Sequence, residues 1–144
     1  MSETEIVLKL LIACLLGGFL GFFREKEKKA AGLRTHMLVC LGAALFTLVS
    51  IYFEKTFPGT DAARIASNIV VGIGFIGAGT IIQNTGGSIS GITTAASIWV
   101  AAALGMAIGV GFYFAAGVAA FLAILAIYFM HGIEIKYIRS GKNE

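Results

Sequence analysis

Residues 65–133 read IASNIVVGIGFIGAGTIIQNTGGSISGITTAASIWVAAALGMAIGVGFYFAAGVAAFLAILAIYFMHGI, and no Asp, Glu, Lys or Arg occurs among them. A helix needs about 20 apolar residues to pass once through a hydrocarbon core of about 30 Å. A stretch of this length therefore crosses repeatedly. The fold it dictates is all-α, a polytopic transmembrane helix bundle.

The rest of the chain agrees. Of 144 residues, 58% are apolar and 13% charged, with 19 glycines and a single proline. A soluble domain is about 25% charged, so a large water-soluble domain is excluded. Net charge is +3, and the basic residues cluster beside apolar runs, where they meet lipid headgroups and set topology. Nucleic acid is not an expected partner. Cys14 and Cys40 lie inside apolar runs without CxxC or Cys/His spacing and read as packing residues.

Five spans are expected, at about 6–23, 36–53, 65–82, 94–109 and 112–130, in one bundle over residues 1–144. The first follows Glu3 and Glu5 rather than a basic leader and lacks a small-residue cleavage site, so it reads as a retained helix. The apolar stretch 94–130 would reach roughly 55 Å as one helix, which favours two crossings with a turn near Gly109 to Gly111. Charge supports the count. Five crossings put Arg24, Lys26, Lys28, Lys29, Arg34, Lys136, Arg139 and Lys142 on one side, leaving three of the 11 basic residues on the other. Four crossings give an even split with no preference. The amino terminus is thus expected outside and the carboxyl terminus in the cytoplasm.

Helices in lipid associate through small residues and interhelical hydrogen bonds. The expected inner faces are Ala13, Gly17, Gly21 and Arg24 in the first run, His36, Cys40, Ala43, Thr47 and Ser50 in the second, and Asn68, Gly72, Gly79 and Gln83 in the third. His36 and Asn68 draw attention because a buried imidazole or amide needs several partners. Gly72-Ile73-Gly74-Phe75-Ile76-Gly77 matches GxGxxG, yet it lies within an apolar run and no acid follows until Glu134. Without the strand, helix and acidic residue that give that motif meaning, the glycines serve close helix approach.

The most unusual residues gather at the expected inner side. Arg24, Glu25, Arg34, Thr35 and His36 lead into the second helix, and Thr93 and Thr94 into the fourth. Thr35 and Thr93 or Thr94 are candidate N-caps, Glu25 a counter-charge orienting an arginine. Two helix starts with arginines and hydroxyls make a candidate anion site for a phosphate, an anionic lipid or an acidic segment. Cation transport makes other demands, since proton relays and Mg²⁺ sites use carboxylates within the membrane. No carboxylate lies inside a run; Asp61 and Arg64 belong to the outer loop. No nucleophile elbow, zinc pair or carboxylate pair accompanies His36, so neither an enzyme nor a resident cofactor or metal is expected.

Ala31-Gly32-Leu33-Arg34-Thr35-His36 with Gly42-Ala43-Ala44-Leu45-Phe46, then Arg64-Ile65-Ala66, Gly72 through Gly79, and Gly91-Ile92-Thr93-Thr94-Ala95-Ala96-Ser97-Ile98-Trp99 follow one another over nearly the whole chain. In these stretches it resembles the MgtC/SapB family of bacterial inner-membrane proteins. The resemblance implies a multi-spanning module linked to magnesium limitation, virulence or intracellular survival, with the F-type ATP synthase as a partner of some members. It implies candidate roles for Asp61, Arg64 and Asn68. Many members carry a soluble carboxyl-terminal domain, so this chain is expected to be the membrane module alone. Phe23 stands where members often have an acidic residue before the Arg-Glu pair. Three readings follow: a regulatory protein that binds another membrane component, a Mg²⁺ or other ion transporter or channel, and an anionic-lipid-binding protein. Its small-residue faces also suit a homo-oligomer.

Overall fold

The computed structural model describes residues 1–133. The tail cations Lys136, Arg139 and Lys142, on which the charge asymmetry leans, lie outside the described residues. Five helices run as α1 (Glu3–Lys26), α2 (Leu33–Thr56), α3 (Ala62–Ala78), α4 (Ile92–Val110) and α5 (Tyr113–Ile133), with β1 (Ile82–Gln83) and β2 (Ile89–Ser90) between α3 and α4. Three of them, α1, α2 and α4, are long and apolar enough to cross a membrane; α3 is an apolar helix of 17 residues.

Helices α1 to α4 begin two to three residues before their apolar runs, and at α1 and α3 a side-chain cap sets the boundary. Ser2 Oγ accepts from the Glu5 amide at 3.2 Å to start α1. Asp61 Oδ1 accepts from the Ala63 amide at 2.8 Å to start α3, and α3 therefore lies three to four residues ahead of the expected 65–82. The last residues of that run turn instead into a two-strand antiparallel ladder, Ile82 opposite Ser90 and Gln83 opposite Ile89. Asn84 and Ser88 close the tip, the Asn84 amide donating to the Ser88 carbonyl at 2.9 Å. At the expected break between the last two spans, Gly111 adopts φ 94°. Its amide donates to Ile108 at 3.0 Å and that of Phe112 to Ala107 at 2.7 Å, the Schellman pattern that ends a helix on a left-handed glycine.

Helices α2 and α4 occupy the middle; α1 packs on both, α3 on both from another side, and α5 mainly on α4. The expected inner rows of α1 and α2 are all buried. Cys40 sits where they meet: a Cβ on Gly17 of α1 would lie 2.6 Å from Cys40 Cβ, and one on Gly105 of α4 would strike the Cys40 carbonyl. These approaches are possible only because neither glycine has a side chain.

Helix α3 is turned differently from the sequence expectation. Asn68, Gly72 and Gly79 face outward, while Ile73 and Gly77 are its buried residues. The physical reason is that α3 covers an apolar seam formed by Ala43, Ile98 and Ala102, which isoleucine fills better than glycine. Its small row instead flanks an open groove beside α2, of about 460 Å³. Ser50 Oγ fastens the carboxyl-terminal part of α2 to the start of α3 by donating to the Ala62 carbonyl.

Candidate functional site

At the end of the bundle where α1 finishes and α2 and α4 begin, four polar side chains form a chain through the interior. Arg24 Nη2 donates to Thr94 Oγ1 at 2.6 Å. Ser97 Oγ lies 2.8 Å from the Thr94 carbonyl and 3.0 Å from His36 Nε2. His36 Nδ1 lies 2.8 Å from the Gly32 carbonyl. Arg24, His36, Thr94 and Ser97 are each at most 4% exposed, so α1, α2 and α4 are joined here by hydrogen bonds shielded from water.

Proton bookkeeping constrains this chain. A carbonyl only accepts, so His36 Nδ1 carries a proton. The single Ser97 proton then serves either His36 Nε2 or the Thr94 carbonyl, and both contacts can be made together only by a doubly protonated imidazole. Next to a buried guanidinium that second positive charge is unfavourable, which favours the neutral ring accepting from Ser97 at 3.0 Å over the shorter contact of Ser97 to the Thr94 carbonyl.

Arg24 itself is unusual. Among the described residues no carboxylate pairs with it within 4 Å, and its buried Nε has no hydrogen-bond partner. Glu25, the expected counter-charge, points elsewhere: its Oε2 accepts from the Leu33 amide at 2.7 Å. It thereby supplies from α1 the anion that the start of α2 lacks, where Gly32 is an N-cap without a side chain. The expected threonine caps are likewise corrected. Helix α4 starts on Gly91 at φ 91°, where any Cβ would collide with the Thr80 carbonyl. Thr35 and Thr93 fall inside their helices, Thr35 half-buried and Thr93 exposed.

The residues expected to form one region therefore fall in two places. One is the interior chain around Arg24, Thr94 and His36. The other is a basic pocket of about 380 Å³ lined by Lys28, Lys29, Arg34 and Thr35, with Glu25 and Gly32 at its side.

The remaining candidates lie apart. Gln83 is exposed in β1, not on the inner face of α3. Asn68 is exposed and donates through Nδ2 to the Arg64 carbonyl at 3.0 Å. Asp61 caps α3, and no ion pair joins it to Arg64 among the described residues. No group of three His, Cys, Asp or Glu side chains with metal-binding geometry occurs among the described residues.

Two residues that the sequence reading passed over hold the structure together. Ser97 is central to the interior chain; its signal was the i, i+3 spacing from Thr94. Lys9, counted only as an outer-side charge, is 5% exposed. It pairs with Glu5 at 3.0 Å and donates to the Gly109 carbonyl at 3.1 Å. A lone lysine four residues after a glutamate within an apolar run was the available clue.

Apolar helices of membrane-crossing length, a polar seam within them and glycine-mediated packing define a helical membrane protein. The sequence pattern of the MgtC family matches residues 10–135, and the chain belongs to that family. It is similar to "Putative magnesium transporter YhiD" of Escherichia coli K12, 45% identical over 115 residues that make up 76% of this chain and 53% of that one. It is also similar to SapB of Bacillus subtilis 168, 38% identical over 133 residues, 89% of this chain and 57% of that protein. MgtC of Salmonella typhimurium LT2 is 44% identical over 111 residues, 77% of this chain and 46% of that protein. The chain thus spans about half the length of the curated relatives it matches. No solved structure matches it.

Proposed function

We propose that the chain is a non-enzymatic regulatory protein of the bacterial inner membrane, acting by contact with another membrane component rather than by carrying an ion. In this reading all five helices cross, with the amino terminus outside and the carboxyl terminus in the cytoplasm. The basic residues between α1 and α2 then mark the cytoplasmic face.

The observation that carries the reading is how the polar groups are divided. Those turned inward, Arg24, Thr94, Ser97 and His36, are bonded to one another or to backbone across three helices. Their role is to fix the helices. Asn68 is turned outward with its described hydrogen bond made to its own helix, and Phe75 on the same helix is 78% exposed. An amide facing hydrocarbon is unfavourable until another polar group meets it, so α3 offers a face that a second membrane segment would complete. The family resemblance supplies the expected setting, magnesium limitation, and an expected partner, the F-type ATP synthase. The small outward residues of α3 also suit self-association.

Ion transport is the alternative that the name of the Escherichia coli relative supports. Purified protein in tight proteoliposomes across a Mg²⁺ gradient decides between the two, with Asn68→Leu alongside. The expected result is flux equal to empty liposomes, together with loss of ATP synthase co-purification from cells carrying Asn68→Leu. Flux above the empty control that vanishes in Asn68→Leu would replace regulation by transport.

A further inference from the structure

We propose that the basic pocket and the groove between α2 and α3 form one binding site for an anionic phospholipid, phosphate in the pocket and acyl chain in the groove. The proposal goes beyond the partner-binding reading and does not depend on it.

The two concavities lie on one face of α2. Arg34 and Thr35 line the pocket; Leu38, Gly42 and Phe46 line the groove. Arg34, Leu38, Gly42 and Phe46 are four residues apart in succession, the spacing that stacks side chains along a single helix face. From Arg34 to Phe46 the helix rises about 18 Å, close to the roughly 15 Å that half a hydrocarbon core measures. A headgroup at the first position puts the end of its chain near the last.

Each part suits its half of the lipid. Lys28, Lys29 and Arg34 bring three cations to the pocket, and Thr35 adds a hydroxyl. The carboxylate present, Glu25, is held by the Leu33 amide at 2.7 Å, which leaves the cations for a ligand. A guanidinium and ammonium groups around one concavity match a phosphodiester. The groove has no ionised side chain along Leu38, Gly42, Phe46, Gly72 and Ile76. Its floor is low because a Cβ on Gly42 or Gly72 would meet nothing within 4 Å. Asn68 also borders the groove, with its Nδ2 already donating to the Arg64 carbonyl at 3.0 Å.

The test uses the full chain in nanodiscs and native mass spectrometry, scoring retained phosphatidylglycerol against phosphatidylcholine. Phosphatidylglycerol should be retained preferentially by the native chain. Lys28→Ala/Lys29→Ala/Arg34→Ala should lower that retention on the order of a hundredfold, each cation near a membrane surface contributing roughly fivefold. Lys55→Ala/Arg64→Ala, which removes cations from the other end of the bundle, should retain lipid as the native chain does. Gly42→Leu fills the groove without touching the pocket and should also lower retention. Equal retention of the two lipids, or native retention in the triple variant, would overturn the proposal. So would native retention in Gly42→Leu, since the groove would then play no part. Displacement of the lipid by millimolar inorganic phosphate would also overturn it, by making free phosphate the ligand.

Discussion

The ammonium of Lys9 donates to the backbone carbonyl of Gly109 at 3.1 Å. Arg24, further along the same face of α1, reaches Thr94 at 2.6 Å. Residues 9 and 24 are separated by as many positions as residues 94 and 109, so antiparallel α1 holds α4 at both ends with its two buried cations. Lys9 also places positive charge at the carboxyl end of α4, where the helix dipole favours it.

Lys9→Met keeps the bulk and removes the donor. The Gly109 carbonyl then loses its side-chain partner in a buried setting, at a cost of about 1–3 kcal/mol. Denaturant titration of the protein in mixed micelles should show this as a lower midpoint. An unchanged midpoint would mean the carbonyl finds another donor.

Arg24 and Thr94 should be energetically coupled. A double-mutant cycle with Arg24→Met and Thr94→Val is expected to give a coupling of about 1–2 kcal/mol, within the range for contacting polar pairs. Additive effects would show the short contact to be without consequence for stability.

Glycine positions should separate into two groups. Gly105→Leu drives a side chain into the Cys40 carbonyl and toward Ala43, and should prevent accumulation of folded protein in the membrane. At Gly72 an added Cβ meets nothing within 4 Å and the position borders the open groove, so Gly72→Leu should accumulate as the native chain does. Size-exclusion profiles of the two variants check this directly, and similar profiles would contradict the packing described for α2 and α4.

His36 should be a neutral imidazole protonated at Nδ1. Nitrogen NMR of histidine-labelled protein at neutral pH is expected to show a protonated Nδ1 and an accepting Nε2. In Ser97→Ala the Nε2 resonance should move because its donor is lost, whereas Nδ1 keeps Gly32. A ring protonated on both nitrogens would instead assign the Ser97 proton to the Thr94 carbonyl.

The inner rows of α1 and α2 could be read directly, because small and polar residues recurring at three and four positions in an apolar helix have few other uses. The same rule misplaced α3. There Asn68, Gly72 and Gly79 form an equally regular row, but Ile73 has the larger apolar surface to bury against Ala43 and Ala102. A row pattern does not reveal which seam a peripheral helix must fill. The hairpin was hidden for another reason. Ile82 looks like the last residue of a span by hydropathy, whereas Ile89 falls between the expected spans, and the Asn84-Thr85-Gly86-Gly87-Ser88 cluster between them is a turn signal. At the site, His36, Arg24 and Thr94 could be named as candidates. Their connection through Ser97 required knowing that α1 and α4 run side by side.

The α1 clamp bears on how the molecule is made. Lys9 meets a carbonyl 100 positions downstream and Arg24 a hydroxyl 70 positions downstream. During synthesis the first helix enters the bilayer long before either acceptor has left the ribosome. Until α4 is threaded, Lys9 and Arg24 must stay with water, headgroups or the insertion machinery, since isolated charge is unfavourable in hydrocarbon. Closure of the interior is therefore a late event, and a chain stopped before residue 94 would leave both cations waiting at the membrane surfaces.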